Sequence, residues 1–265
     1  MSQIPYDHRT KAGNRGDLLK HFILFSALKD IKRISASFRY LDVHAGYPCY
    51  HLQGTGAWQP GVGQFVDNYA STPVPQSRLN DFYDRLTDSS GRLKTEYPGS
   101  TTLVTEILRK CFPKRYEVFL CDTNPDVCAE LMQFNRNNPN VHVFNRNGYQ
   151  LAYELAPVDL IFIDPPNIDA QLDDYRQLIE SCVDRQHPFI AWNALHGNPD
   201  TSGPSANCVQ IRTLSQHWQI PLLEVRWENW HTRMCGCQML LYLANGESLK
   251  QEGQHLARLM GWHSV

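Results

Sequence analysis

The sequence predicts an α/β protein with a mainly parallel sheet and helices on both faces. Short apolar runs rich in β-branched and aromatic residues recur along the chain, and segments of helical periodicity fill the gaps between them. Strands that alternate with helices in this way fold into a parallel sheet covered on both sides. One Gly-, Gln- and Pro-rich stretch, between Leu52 and Tyr97, breaks the alternation.

In chain order, residues 17–33 come first and carry Leu18, Leu19, Phe22, Phe25 and Leu28 on one broad face. This is the spacing of an amphipathic helix, and Asp17 supplies negative charge near its start. A strand follows at 38–43. Residues 52–97 then read as an inserted helical subdomain, with a helix near 79–86, within one domain spanning 1–265. The turn Tyr97-Pro98-Gly99-Ser100 opens a helix over 101–111, with Ser100 as its cap. A second strand covers 116–122. Asn124 caps the helix at 124–135, and Pro125 takes its first position. Further strands are predicted at 141–144, 158–164, 188–192, 222–227 and 239–243, with helices at 171–183 and 206–218.

Of the 265 residues, 42% are hydrophobic, enough to bury a sizeable core. No window approaches the roughly 18 apolar residues of a membrane span. The start of the chain lacks the apolar run of a secretory signal, so a cytoplasmic location is expected. Cys235-Gly236-Cys237 is the closest cysteine pair, and no second Cys/His pair stands near it. That reads as packed, reduced cysteine rather than a metal site. The net charge of −2 gives no global support for nucleic-acid binding. Residues 1–40, however, hold eight Lys/Arg against three Asp, which suits either a phosphate-facing surface or a solvated helix face.

Ligands of open α/β sheets bind outside the carboxyl ends of the strands. There the sequence places Asp42-Val43-His44-Ala45-Gly46, Asp122 and Asp164-Pro165-Pro166-Asn167. Gly46 allows close backbone approach to a ligand, and Asp122 suits a ribose diol. Two prolines in succession fix two φ angles and form a rigid turn. Methyl transfer to an exocyclic amine needs such a turn, because the amine lone pair is delocalised into the ring. Asp164 and the Pro165 carbonyl are placed to accept its two N–H bonds and aim the lone pair at a sulfonium methyl.

Four segments together resemble the RlmJ-type adenine-N6 methyltransferases of large-subunit ribosomal RNA. They are residues 12–21 (Ala-Gly-Asn-Arg-Gly-Asp-Leu-Leu-Lys-His), 40–46 (Tyr-Leu-Asp-Val-His-Ala-Gly), 97–100 (Tyr-Pro-Gly-Ser) and 163–166 (Ile-Asp-Pro-Pro). The resemblance implies a class I (Rossmann-like) methyltransferase fold, S-adenosyl-L-methionine as cofactor and RNA or DNA as substrate. It implies that Lys20, His21, His44, Gly46, Ser100, Asp122 and Asn147 line the cofactor pocket. It also implies that Asp164, with Pro165, Pro166 and Asn167, is catalytic, and that Tyr6 belongs to a closing N-terminal segment. Several positions depart from the family pattern. Pro48 follows Tyr47 where the family has Ala-Gly, Asn147 replaces an Asp that reads the cofactor adenine, and Asn193 follows Trp192 where the family has Tyr. Asn167 replaces an aromatic that stacks on the target base, a contact worth roughly 1–3 kcal/mol. These departures leave two alternatives open: another acceptor (a small molecule or a protein amide), or a non-catalytic nucleic-acid-binding member.

Overall fold

The predicted strands assemble into one sheet around the run at 38–43. The computed structural model describes residues 10–31, 37–113, 115–155, 157–166, 168–196, 206–227 and 234–264. The chain opens with α1 (Arg15–Lys29) and β1 (Phe38–Asp42), then a short β2 (Cys49–His51). A π-helical turn (Gln59–Gly63), α2 (Gln64–Ser71) and α3 (Arg78–Leu86) lead to β3 (Glu96–Pro98). Then come α4 (Ser100–Cys111), β4 (Tyr116–Asp122), α5 (Pro125–Phe134), β5 (Val141–Asn145), α6 (Gly148–Glu154) and β6 (Leu160–Ile163). A 3-10 turn at Ile168–Ala170 precedes α7 (Leu172–Asp184) and β7 (Phe189–His196). The chain closes with α8 (Ala206–Trp218), β8 (Leu222–Arg226), β9 (Met234–Tyr242), α9 (Gly246–Leu259) and β10 (His263–Ser264).

The sheet order is β10-β8-β9-β7-β6-β1-β4-β5, and β2 pairs separately with β3. β1 lies parallel to β4 and β6, β4 to β5, and β6 to β7. β9 runs antiparallel between β7 and β8. From β1 the chain builds outward through β4 and β5, then returns to build the other way through β6 and β7. The resulting switch point at β1 is where such sheets bind ligands. From β8 to β5 this order, with antiparallel β9 inserted between β7 and β8, is that of the class I methyltransferase fold, and the short β10 adds an antiparallel edge to β8.

Side-chain alternation along each strand feeds two cores. Tyr40, Val118 and Leu120 face the side covered by α1, α4, α5 and α9. Leu41, Phe119 and Cys121 face the side covered by α6, α7 and α8.

The structure corrects three local expectations. α1 is not amphipathic: every residue from Gly16 to Leu28 is buried, because α1 lies among α3, α4, α9, β7, β9 and the π-helical turn. A helix enclosed on all sides has no solvent face to keep polar. Ser100 is not the cap of α4; Gly99 holds that position, and Ser100 turns its hydroxyl to Asp42 instead. The last long strand begins at Met234, so the Cys235–Cys237 pair lies within β9, hydrogen-bonded on both sides. Cys237 is fully buried, and burial pushes its thiol up to about 12. Asn124 does cap α5, with Pro125 in its first turn. Among the described residues no helix is long and apolar enough to cross a membrane.

Candidate active site at the carboxyl ends of β1, β4 and β6

Parallel pairing brings the ends of β1, β4 and β6 to one edge, and each delivers a carboxylate there. Asp42 ends β1 and is fully buried. Its Oδ2 accepts from Ser100 Oγ at 2.6 Å and Tyr40 OH at 3.2 Å, and its Oδ1 accepts from the His44 N–H at 3.2 Å. Burial pushes the Asp42 carboxyl up to about 7; the Ser100 bond opposes the shift, and the nearby charge of Asp164 adds to it. Ser100 therefore acts on the floor of the site.

Asp122 ends β4 and ties two loops together. Its Oδ2 accepts from the Gly46 N–H at 3.1 Å and its Oδ1 from the Asn124 N–H at 2.8 Å. A carboxylate offers about four lone-pair sites, so acceptor capacity for a diol remains. Gly46 has φ +62, and a Cβ there would meet Tyr50 Oη at 2.8 Å. Both constraints demand glycine. The Tyr47-Pro48 segment after it latches onto the start of α4. The Pro48 carbonyl accepts from the Gly99 N–H at 2.9 Å and from Thr102 Oγ1 at 2.6 Å.

His44 is half-buried and meets Tyr149 edge-on, with ring centroids 5.0 Å apart. Burial pushes its imidazole down to about 4, with Gln171 opposing. Its Nδ1 and the Tyr149 hydroxyl are buried and carry no hydrogen bond among the described residues. Buried polar atoms seek partners, so these two suit a polar ligand. Asn147 caps α6: its side-chain oxygen accepts from the Tyr149 and Gln150 N–H groups at 2.9 and 3.2 Å. Those bonds engage both lone pairs of the oxygen, so the amide N–H groups are what Asn147 has left to offer a ligand.

Asp164 follows β6, with its side chain 15% exposed; Pro165 is buried and Pro166 exposed. Asp164 Oδ2 accepts from Lys20 Nζ at 2.6 Å, and the same ammonium lies 2.8 Å from Asp17 Oδ1. It also sits 5.1 Å from the centroid of the Trp192 ring, within cation–π range. Burial alone would lower the Lys20 pKa, but Asp164 and Asp17 outweigh it and hold the amine well above its ordinary value. Next along α1, His21 Nδ1 hydrogen-bonds Tyr97 Oη at 2.7 Å, with the two rings stacked.

The fold thus gathers Lys20, His44, Gly46, Ser100, Asp122, Asn147 and Asp164 about the switch point, with His21 beside Lys20. Tyr6 and Asn167 lie outside the described residues. Sequence reasoning gave Asp17 only a helix-dipole role and passed over Tyr149. The signal for Asp17 was present, since Asp17 and Lys20 are three apart and share a helix face. The basic N-terminal segment forms no single surface among the described residues. Lys20 is buried, Lys29 pairs with Asp81, Arg39 pairs with Glu117, and Arg15 donates to the Pro60 carbonyl. Among the described residues no cluster of His, Cys, Asp and Glu has the arrangement of a metal site.

A family model described as Ribosomal RNA large subunit methyltransferase D, RlmJ, matches residues 35–190. Ribosomal RNA large subunit methyltransferase J of Haemophilus influenzae is 28% identical over 197 residues, covering 71% of this chain and 67% of that protein. The protein of the same name from Escherichia coli is 28% identical over 172 residues, covering 62% and 59%. The match therefore spans about two thirds of the first relative's length and less of the second's. A Legionella pneumophila protein of known crystal structure superimposes with a TM-score of 0.74 at 18% identity, covering 96% and 97% of the two chains.

Proposed function

The chain belongs to the RlmJ family of ribosomal RNA large subunit methyltransferases, S-adenosylmethionine-dependent enzymes, and from that premise we propose that it methylates the N6 amine of an adenine in ribosomal RNA. The observation that carries this reading is the placement of Asp164. It stands on the rigid Asp-Pro-Pro turn at the switch point, paired with a lysine and partly exposed.

The cofactor, when bound, supplies an electrophilic methyl on a sulfonium. The residues present fit such a group: Asp122 keeps acceptor capacity, Gly46 leaves the backbone bare, and His44 Nδ1 and Tyr149 Oη are buried without partners. Asp164 accepts one N–H of the target amine and the Pro165 carbonyl the other. These two bonds localise the nitrogen lone pair, and the fixed turn aims it. Transfer would exchange the methyl–sulfonium bond for an N–C bond and leave a neutral thioether, so the positive charge would pass to the nitrogen and make it a strong acid. Its proton leaves through the exposed side of Asp164 to water. Tyr6, outside the described residues, is assigned to closure over the acceptor.

The test is transfer of labelled methyl groups from S-adenosylmethionine to large-subunit ribosomal RNA, with nucleoside digestion to identify the product. Label in N6-methyladenosine is expected, with turnover reduced about 10²-fold or more in Asp164→Asn. Label confined to protein or small molecules would transfer the reading to another acceptor, and no transfer at all would sink it.

A further inference from the structure

Lys20 is shared between two carboxylates on different elements, and only one of them belongs to the catalytic turn. Asp17 is 1% exposed and Lys20 6%. Asp17 is itself held in place. Its backbone N–H donates to Asn14 Oδ1 at 3.1 Å, and its Oδ2 accepts from Asn14 Nδ2 at 3.2 Å. Asn14 is the cap of α1, so the position of Asp17 is fixed by the same residue that starts the helix. Trp192 limits the ammonium on another side. Among the described residues, the hydrogen bond from Lys20 is the one bond to the Asp164 side chain.

An ammonium has three N–H donors, and charged donors bind a carboxylate about twice as strongly as neutral ones. Were Asp164 the one carboxylate beside Lys20, those donors would turn on it and compete with the neutral amine of a substrate. Asp17 divides them. The trio of two carboxylates and one ammonium keeps a net negative charge, so Asp164 remains an acceptor while Lys20 still fixes its orientation.

We propose that Asp17 is a positioning residue for methyl transfer, acting through Lys20 to keep Asp164 oriented and free to accept a substrate N–H. The proposal rests on the function read above, and its test has one arm that needs no turnover.

The first arm is kinetic and compares Asp17→Asn, Lys20→Met and the double variant. Asp17→Asn is expected to lower kcat about tenfold, with KM for S-adenosylmethionine within about twofold. In the Lys20→Met background it is expected to add no further loss, because its route of action is gone. An unchanged kcat in Asp17→Asn, or losses that multiply in the double variant, would overturn the proposal.

The second arm follows the Lys20 Cε resonance by NMR as pH rises. Among the described residues, the titratable groups around Lys20 are Asp17 on α1, Asp164 after β6, Tyr50 on β2, Tyr97 on β3 and Cys237 on β9. Asp17→Asn removes one stabilising charge, so the midpoint is expected to fall, and Asp17→Glu is expected to restore it. A midpoint unmoved in Asp17→Asn would overturn the proposal even if the wild-type protein methylates RNA. A midpoint that moves in a protein without methyl transfer would sink the function and leave the Asp17–Lys20 coupling standing.

Discussion

Asp42 and His44, two residues apart, titrate in opposite senses, and their pairing predicts how stability depends on pH. Burial raises Asp42 from its ordinary 3.8 to about 7, so between those values the folded protein holds a proton that the unfolded chain has released. Stability present below about pH 4 is therefore lost as pH rises through about 7, with a ceiling of ~4 kcal/mol from roughly three pK units. Burial lowers His44 from 6.5 to about 4, so the unfolded chain binds the proton there. Stability present above about pH 6.5 is lost as pH falls through about 4. In the window from about 4 to 6.5 the two effects oppose each other, and the wild-type contribution from this pair is nearly flat. Asp42→Asn removes one of them. We expect the variant to gain stability relative to wild type at pH 8 and to lose stability more steeply between pH 6.5 and 4.5. Urea unfolding at pH 4.5, 6 and 8 measures both, and parallel profiles would refute the assignment.

Two kinds of element were legible in the sequence: apolar runs that become strands buried on both faces, and helices with a contrast between faces. β4 and α8 occur where the alternation placed them, and the Asp-Pro-Pro turn was visible because prolines punctuate the end of β6. α1 was legible as a helix but not as an enclosed one. Periodicity reports a contrast between faces, and Asp17, Lys20 and His21 imitate a polar face while pairing inside the protein. The same imitation hid a polar cluster under β8. Glu224 is 2% exposed and accepts from Arg212 Nη2 and Nε at 2.6 and 2.8 Å, from Arg226 Nε at 2.9 Å and from Gln238 Nε2 at 2.9 Å. Burial alone would raise its carboxyl, but the bonds from Arg212, Gln238 and Arg226 outweigh that and hold it below its ordinary value. This cluster ties α8 and β9 to β8. Glu224→Gln is expected to cost about 3 kcal/mol at pH 7, because both arginines lose their shared anion while retaining some solvent. A depressed carboxyl contributes above its unfolded pKa and loses that contribution as pH falls, so the gap between wild type and variant should narrow toward pH 3. Denaturant midpoints at pH 7 and pH 3.5 decide the matter.

Across the whole molecule, the segment between β1 and β3 is joined through α1 to the sheet edge that carries Asp42, Asp122 and Asp164. The π-helical turn docks backbone to backbone on the start of α1: the Val62 N–H donates to the Gly13 carbonyl at 3.0 Å, and a Cβ at Gly61 would meet that carbonyl oxygen at 2.1 Å. Farther along, Phe82 of α3 packs on Phe22 and Phe25 of α1, with ring centroids 5.5 and 5.3 Å apart, and on Phe65 of α2 at 6.0 Å. Phe65, Phe82 and Leu86 belong to the same buried cluster as Tyr40 and Val118 of the central strands. An insertion that shares its core with the sheet has no separate core to melt. Phe82→Ala is therefore expected to cost about 3–5 kcal/mol through the cavity it leaves, and to do so in one cooperative transition. Fluorescence and far-ultraviolet circular dichroism recorded across the same urea series should give coincident curves for wild type and variant alike. A separate early transition in the variant would show that α2 and α3 fold apart from the sheet. Because α1 carries Lys20, loosening at Phe82 is also expected to lower methyl transfer, although Phe82 lies in the packing between α1 and α3 and supplies no group to the site.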